Sequence, residues 1–111
     1  MYEFHGNKQR YFDMTHQVTV GHIIPFLQSN WTFPADMAVL EIGCGEAGVL
    51  KAFTDMGYQC TGIELEENRL EFAREFMKSE LETGAVQFLN KSVKSFLIFH
   101  QFFQSEEETF L

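Results

Sequence analysis

Three glycines and two carboxylates carry the most specific chemistry in this chain of 111 residues. Gly43-Cys-Gly45-Glu-Ala-Gly48 is a G-x-G-x-x-G loop. In such a loop the first glycine makes a tight strand-to-helix turn, the second lets a ligand approach the backbone, and the third permits close helix–strand packing. The amides opening the following helix can receive an anionic group. Glu64 ends the next apolar run, where a carboxylate can accept hydrogen bonds from both hydroxyls of a ribose. Glu41 closes the apolar run before the loop, and Glu46 lies inside it. A glycine pattern alone is a weak signal. Here it follows a strand pattern, opens a helix pattern and sits in a βαβ unit of suitable length, which makes it much stronger.

Other reactive residue types give less. His5, His16, His22 and His100 do not have the spacings of a zinc motif, so no metal is expected. Cys44 could act as a thiol beside a helix N-terminus, but Glu46 nearby disfavours the thiolate and a small packing residue is the simpler reading. Trp31 and Phe33 could stack on a base; in an apolar setting before Pro34 they are expected to staple a loop to the core.

These groups must be held by a regular scaffold. Residues 8–29 mix aromatic and apolar positions, with Asp13 or Thr15 available to cap a helix start, but Val18–Val20 and Pro25 argue against an uninterrupted helix. Residues 30–36 read as a loop. Residues 37–42 form a short apolar run suited to a buried parallel strand. Val49, Leu50, Phe53 and Met56 then recur at helical spacing, and Gly57 stands where a helix C-terminus takes a left-handed residue. Residues 59–64 are a second strand. Residues 66–82 form the clearest helix, with Leu70, Ala73, Phe76, Met77 and Leu81 on one face, and Gly84 closes it before a third strand at 85–89. The pattern predicts an α/β fold, the N-terminal half of a Rossmann-like doubly wound parallel sheet with about three strands and right-handed crossovers. It divides the chain into an N-terminal helical segment and loop (1–36), a βαβαβ half-domain (37–93) and a Phe-rich, acidic tail (94–111). Phe96–Phe103 is sticky, and no further βα unit follows, so the sheet is expected to be incomplete and its open edge to favour self-association.

Composition narrows the function further. The chain is 45% apolar, with thirteen Phe and two Pro, which excludes a disordered tail or a collagen-like repeat. Two cysteines are too few for a disulfide framework, and a reduced, cytoplasmic compartment is expected. The opening Met1-Tyr-Glu-Phe-His5 lacks the regions of a signal peptide, so export is not expected, and no apolar run approaches the roughly 18 residues of a membrane span. The net charge is −8, concentrated in residues 36–90. Nonspecific nucleic-acid binding is therefore disfavoured.

Glu64 fits an adenine dinucleotide and S-adenosylmethionine equally well. A pyrophosphate beside Glu46 would meet a like charge, whereas an acidic site stabilises a sulfonium and an ammonium. Val39-Leu-Glu41-Ile-Gly43-Cys-Gly45-Glu-Ala-Gly48 resembles the first motif of the class I S-adenosylmethionine-dependent methyltransferases, and Gly62-Ile-Glu64-Leu65 resembles their acidic second-strand motif. The opening Glu3-Phe-His-x5-Arg10-Tyr-Phe is similar to the N-terminal segment of bacterial members. The resemblance spans residues 1–93. It implies that Glu41 holds the methionine portion, that the Gly43-Cys44-Gly45 backbone faces the cofactor, that Glu64 takes the ribose and that Leu65 touches the adenine. Tyr11 or His5 would contribute to a lid. Ala47 departs from the tighter G-x-G-x-G form, and Asn90-Lys91-Ser92 replaces an acidic residue that often meets the adenine amino group, leaving Ser92 or Asn90 for that contact. The implied activity is methyl transfer to a substrate the sequence does not name, with no catalytic base identified and the substrate-side half missing. The alternatives are a fragment of an NAD(P)-linked oxidoreductase and a non-catalytic, truncated module or subunit.

Overall fold

The computed structural model describes the backbone of residues 4–92 and the side chains from residue 7 onward. The side chain of His5, together with His100, the Phe96–Phe103 run and the rest of the expected tail, lies outside the described residues. Helix α1 (Phe4–Val18) continues through a π-helical turn (Thr19–Ile23) into α2 (Ile24–Asn30). Then follow β1 (Ala38–Ile42), α3 (Gly48–Asp55), β2 (Gln59–Ile63), α4 (Glu67–Phe76), α5 (Lys78–Thr83) and β3 (Val86–Leu89). The strands form one parallel sheet in the order β1-β2-β3. Register places Glu41 beside Gly62 and Ile42 beside Ile63. This is the expected α/β half-sheet.

The N-terminal helices evade the conflict posed by Pro25. In an α-helix a proline loses its N–H and its ring clashes with the carbonyl four residues back. The π turn shifts the register first: the Ile24 N–H donates to Thr19 O, and Pro25 falls in the opening turn of α2, where a missing donor costs little. Asp13 and Thr15 do not cap a helix start. Both lie within α1, and the Thr15 hydroxyl donates to the Phe12 carbonyl at 3.1 Å.

The expected helix over 66–82 is two helices. At Met77 the backbone leaves the helical region, at φ −116° and ψ 35°. Leu70, Ala73 and Met77 are nonetheless fully buried, so the apolar stripe survives the break. The turn redirects α5 toward Gly84, at φ +84°, and the start of β3.

The core lies on one face of the sheet. Cys60 and Val86 pack there with Leu50, Ala52 and Phe53 of α3, joined by Phe12 and Ile24 from the N-terminal helices. The Phe12 and Phe76 rings sit 5.0 Å apart, tying α1 to α4. Phe33 does staple its loop, contacting the rings of Phe53 and Tyr58, but Trp31 stays 60% exposed and does not. On the opposite face Leu40 and Ile42 are exposed, and the Gln87 amide donates to the Thr61 hydroxyl.

Candidate functional site

The glycine loop is fastened to the end of β2 by its own backbone. The N–H groups of Gly43 and Cys44 both donate to Ile63 O, at 2.7 and 3.0 Å. One residue on, the Gly45 N–H donates to Glu64 Oε1 at 2.8 Å, and the Glu66 N–H donates to Glu64 Oε2 at 3.1 Å. The two sequence-predicted motifs thus meet through the Ile63 carbonyl and the Glu64 carboxylate. Such a turn needs left-handed backbone at alternate positions: Gly43 at φ +76°, Gly45 at +56° and Ala47 at +78°. A residue with a Cβ pays roughly 1–2 kcal/mol in that region, so Ala47 is strained where the family's tighter loop has a glycine.

The three glycines divide the work differently from the sequence expectation. A Cβ on Gly43 would meet no atom within 4 Å, so that position faces open space. A Cβ on Gly45 would lie 2.5 Å from the Arg69 guanidinium, which covers this part of the loop. A Cβ on Gly48 would fall 1.8 Å from Thr15 Oγ1 and 2.5 Å from Phe12 O. The third glycine therefore serves the approach of α1 to α3, not of helix to strand.

Glu46 corrects a second expectation. Its side chain is 1% exposed and accepts hydrogen bonds from Arg69 Nε (3.2 Å), Arg69 Nη2 (2.9 Å) and Lys8 Nζ (2.5 Å). Burial pulls its carboxyl upward, but these cationic donors outweigh burial and hold it below the ordinary carboxylate value. Glu46 is compensated, so its charge does not by itself repel a pyrophosphate.

Glu41 is the uncompensated acid. Burial, assisted by the charge of Glu64, pushes its carboxyl up to about 7. Glu41 Oε1 is the one buried side-chain oxygen or nitrogen among the described residues without a hydrogen-bond partner. Buried polar atoms are rarely left so, and such an atom is explained by strain, a functional role, or a bound water or ion. Cys44 is inert by contrast: burial, then the charges of Glu41 and Glu64, push its thiol up to about 12. A Cβ on Gly62 would meet Cys44 Sγ at 2.6 Å and Leu50 Cδ1 at 2.8 Å, so Cys44 packs between loop and sheet.

The outer residues sit at the carboxyl ends of the strands. Leu65 is 68% exposed just beyond β2. The Asn90 side-chain amide donates to the carbonyls of Glu64 (3.0 Å) and Leu65 (2.9 Å), which fixes that turn. Ser92 follows β3 and is half-buried. Tyr11 projects from α1, where it lines a cleft with Lys8, Glu46 and Arg69. Lys8 and Arg69 were not legible as site residues, because nothing in their spacing ties residue 8 or residue 69 to residue 46. Among the described residues no three His, Cys, Asp or Glu side chains form a metal set, and no helix is long and apolar enough to cross a membrane.

A family profile described as a methyltransferase domain matches residues 40–104, more than half of the chain. Among curated protein sequences no relative matches. Solved structures do. An S-adenosylmethionine-dependent methyltransferase from Agrobacterium tumefaciens aligns at TM-score 0.64 and 13% identity, over 80% of this chain and 28% of that one. One from Aquifex aeolicus aligns at TM-score 0.58 and 17% identity, over 83% of this chain and 48% of that one. The glycopeptide N-methyltransferase MtfA, complexed with S-adenosylmethionine, aligns at TM-score 0.54 and 21% identity, over 67% and 32%. At these identities the likeness establishes the fold, and the chain spans between about a quarter and a half of the length of these proteins.

Proposed function

Since the chain belongs to the methyltransferase domain family, we propose that its glycine loop binds S-adenosylmethionine and that the protein serves methyl transfer from that cofactor. The orphaned, buried Oε1 of half-buried Glu41 carries this reading. A carboxylate in that position lacks a donor, and the cofactor's ammonium is a donor of the right charge. MtfA, of similar fold, was crystallised with the same molecule, which supports the assignment. In this arrangement Glu64 accepts from the ribose hydroxyls while keeping its bonds from Gly45 and Glu66. A carboxylate has about four acceptor sites, enough for both sets. Leu65 covers the adenine, and Asn90 holds the turn that presents it, with Ser92 at its rim. Gly43 offers an open backbone, whereas Gly45 becomes accessible when the flexible end of Arg69 swings away.

When bound, S-adenosylmethionine supplies an electrophilic methyl group on a sulfonium. The chain's own residues hold the ligand's charged and polar ends so that this group is fixed in one place, and positioning of that kind accounts for much of the rate in such displacements. Calorimetric titration with S-adenosylhomocysteine and with NAD tests the reading: binding of the first and not the second is expected. Replacing Glu64 by Ala should weaken S-adenosylhomocysteine by about 1–3 kcal/mol. Unchanged affinity in that variant would show that the ribose is held elsewhere.

The part of the sheet face that is uncovered at β1 supports a further part of the proposal. Leu40 is 41% and Ile42 50% exposed beside the outer edge of β1, which has no paired strand among the described residues. Parallel sheets are ordinarily buried on both faces. The protein is therefore proposed to self-associate through this surface, in a reducing cytoplasm that suits its two free cysteines. Light scattering at micromolar concentration should report a dimer or larger species, and a monodisperse monomer would remove this part.

A further inference from the structure

The cleft between α1 and the glycine loop has a chemistry that the cofactor-site carboxylates do not account for. It is an open groove of about 670 Å³, within the size range of small-molecule sites, and Lys8, Arg10, Tyr11, Met14, Glu46 and Arg69 line it. Three cations face one carboxylate there, in a chain whose net charge is −8. Glu46 engages two of the cations, Lys8 and Arg69. Arg10 is exposed and pairs with no carboxylate among the described residues. A free guanidinium presents a planar fork of donors suited to a carboxylate. Beside it, Tyr11 and Met14 are about half exposed, at 47% and 50%, and form an apolar wall for the body of a ligand.

We propose that this cleft is a carboxylate site: Arg10 binds the acid group of a small ligand, Tyr11 and Met14 contact its apolar body, and the Lys8–Glu46–Arg69 cluster sets its floor against the glycine loop. The inference builds on the methyltransferase reading, since a ligand held beside that loop is placed as a methyl acceptor bearing a carboxylate. The same chemistry is also present in the amino-acid end of S-adenosylmethionine, so the two sources must be separated by experiment. Arg69 belongs to both walls, covering Gly45 and bordering the cleft, which couples occupancy of the cleft to access at the loop.

The test is an NMR titration of the protein with benzoate and with neutral benzamide, in the absence and presence of S-adenosylhomocysteine. Benzoate is expected to shift the signals of α1 from Asn7 to Met14 saturably, with benzamide at least about 10-fold weaker. Arg10→Gln should weaken benzoate by about 10-fold and Arg10→Lys by less, and both substitutions are at an exposed position that folding does not depend on. If the acid belongs to an acceptor, benzoate binds alongside S-adenosylhomocysteine, whose affinity Arg10→Gln leaves unchanged. If it belongs to the cofactor, S-adenosylhomocysteine displaces benzoate, and Arg10→Gln weakens S-adenosylhomocysteine but not methylthioadenosine, which lacks the amino acid. The first pattern supports the acceptor site, and the second would return Arg10 to the cofactor site and overturn it. Equal binding of benzoate and benzamide, or an Arg10→Gln protein unchanged toward both benzoate and S-adenosylhomocysteine, would overturn it. Failure of S-adenosylhomocysteine to bind at all would instead defeat the methyltransferase reading, because the benzoate titration of the ligand-free protein is scored independently.

Discussion

Glu41→Gln is expected to stabilise the ligand-free protein at pH 8 by about 2–3 kcal/mol while removing most of its affinity for S-adenosylhomocysteine. The Glu41 carboxyl is raised by burial to about 7 from an ordinary value of 4.5. Between those two values the native protein holds a proton that the unfolded chain has lost. Stability due to this group is therefore greatest below pH 4.5 and falls as pH rises through 7, above which the full penalty of burying the charge applies. At about 1.4 kcal/mol per unit, the shift corresponds to roughly 3 kcal/mol, reduced somewhat by the remaining solvent contact. Gln keeps the shape and cannot ionise, so the variant lacks this slope. Denaturant unfolding of both proteins at pH 5 and pH 8 measures it. The stability gap between them should widen by about 2–3 kcal/mol at the higher pH, and a gap independent of pH would refute the assignment. The same residue should reverse its sign on binding, since a cationic ligand group makes the charged form favourable. Titrating S-adenosylhomocysteine at pH 6 in buffers of different ionisation enthalpy should show proton release in the parent and none in the variant.

Gly48→Ala should destabilise the protein by about 2–3 kcal/mol, although the substitution places alanine in the first turn of a helix, where it is normally favoured. The new methyl group would lie 1.8 Å from Thr15 Oγ1 and 2.5 Å from the Phe12 carbonyl. The first contact can be relieved by the side chain, but the second is with backbone and requires α1 to move away from α3. A second substitution, Thr15→Ala, removes the closer atom. The double variant should recover about 1 kcal/mol relative to the sum of the two single changes. Thermal unfolding of the four proteins gives that coupling. Additive losses would mean that α1 does not approach α3 at this point.

These two sites show where the sequence was sufficient and where it was not. The strand–loop–helix–strand order, the acids at the ends of β1 and β2 and the left-handed turns at Gly57 and Gly84 were all legible, because each follows from local spacing and backbone preference. So was the packing role of Cys44. The neighbours of a residue in space were not. That Gly48 yields to α1, that Glu46 is neutralised by Lys8 and Arg69, and that Arg69 rather than solvent covers Gly45 all depend on contacts between residues at least 23 positions apart. The break at Met77 and the π turn before Pro25 belong to the same class. At Met77 the apolar stripe alone predicts one continuous helix; before Pro25 the sequence argues against one, but the π-helical form of the interruption is not legible in it. The sequence by itself determined the order of strands and helices around the glycine loop and which carboxylates end β1 and β2, because periodicity and glycine conformation are local. Only the tertiary structure decided which acid is left without a partner, since compensation of a buried charge depends on cations brought from other helices.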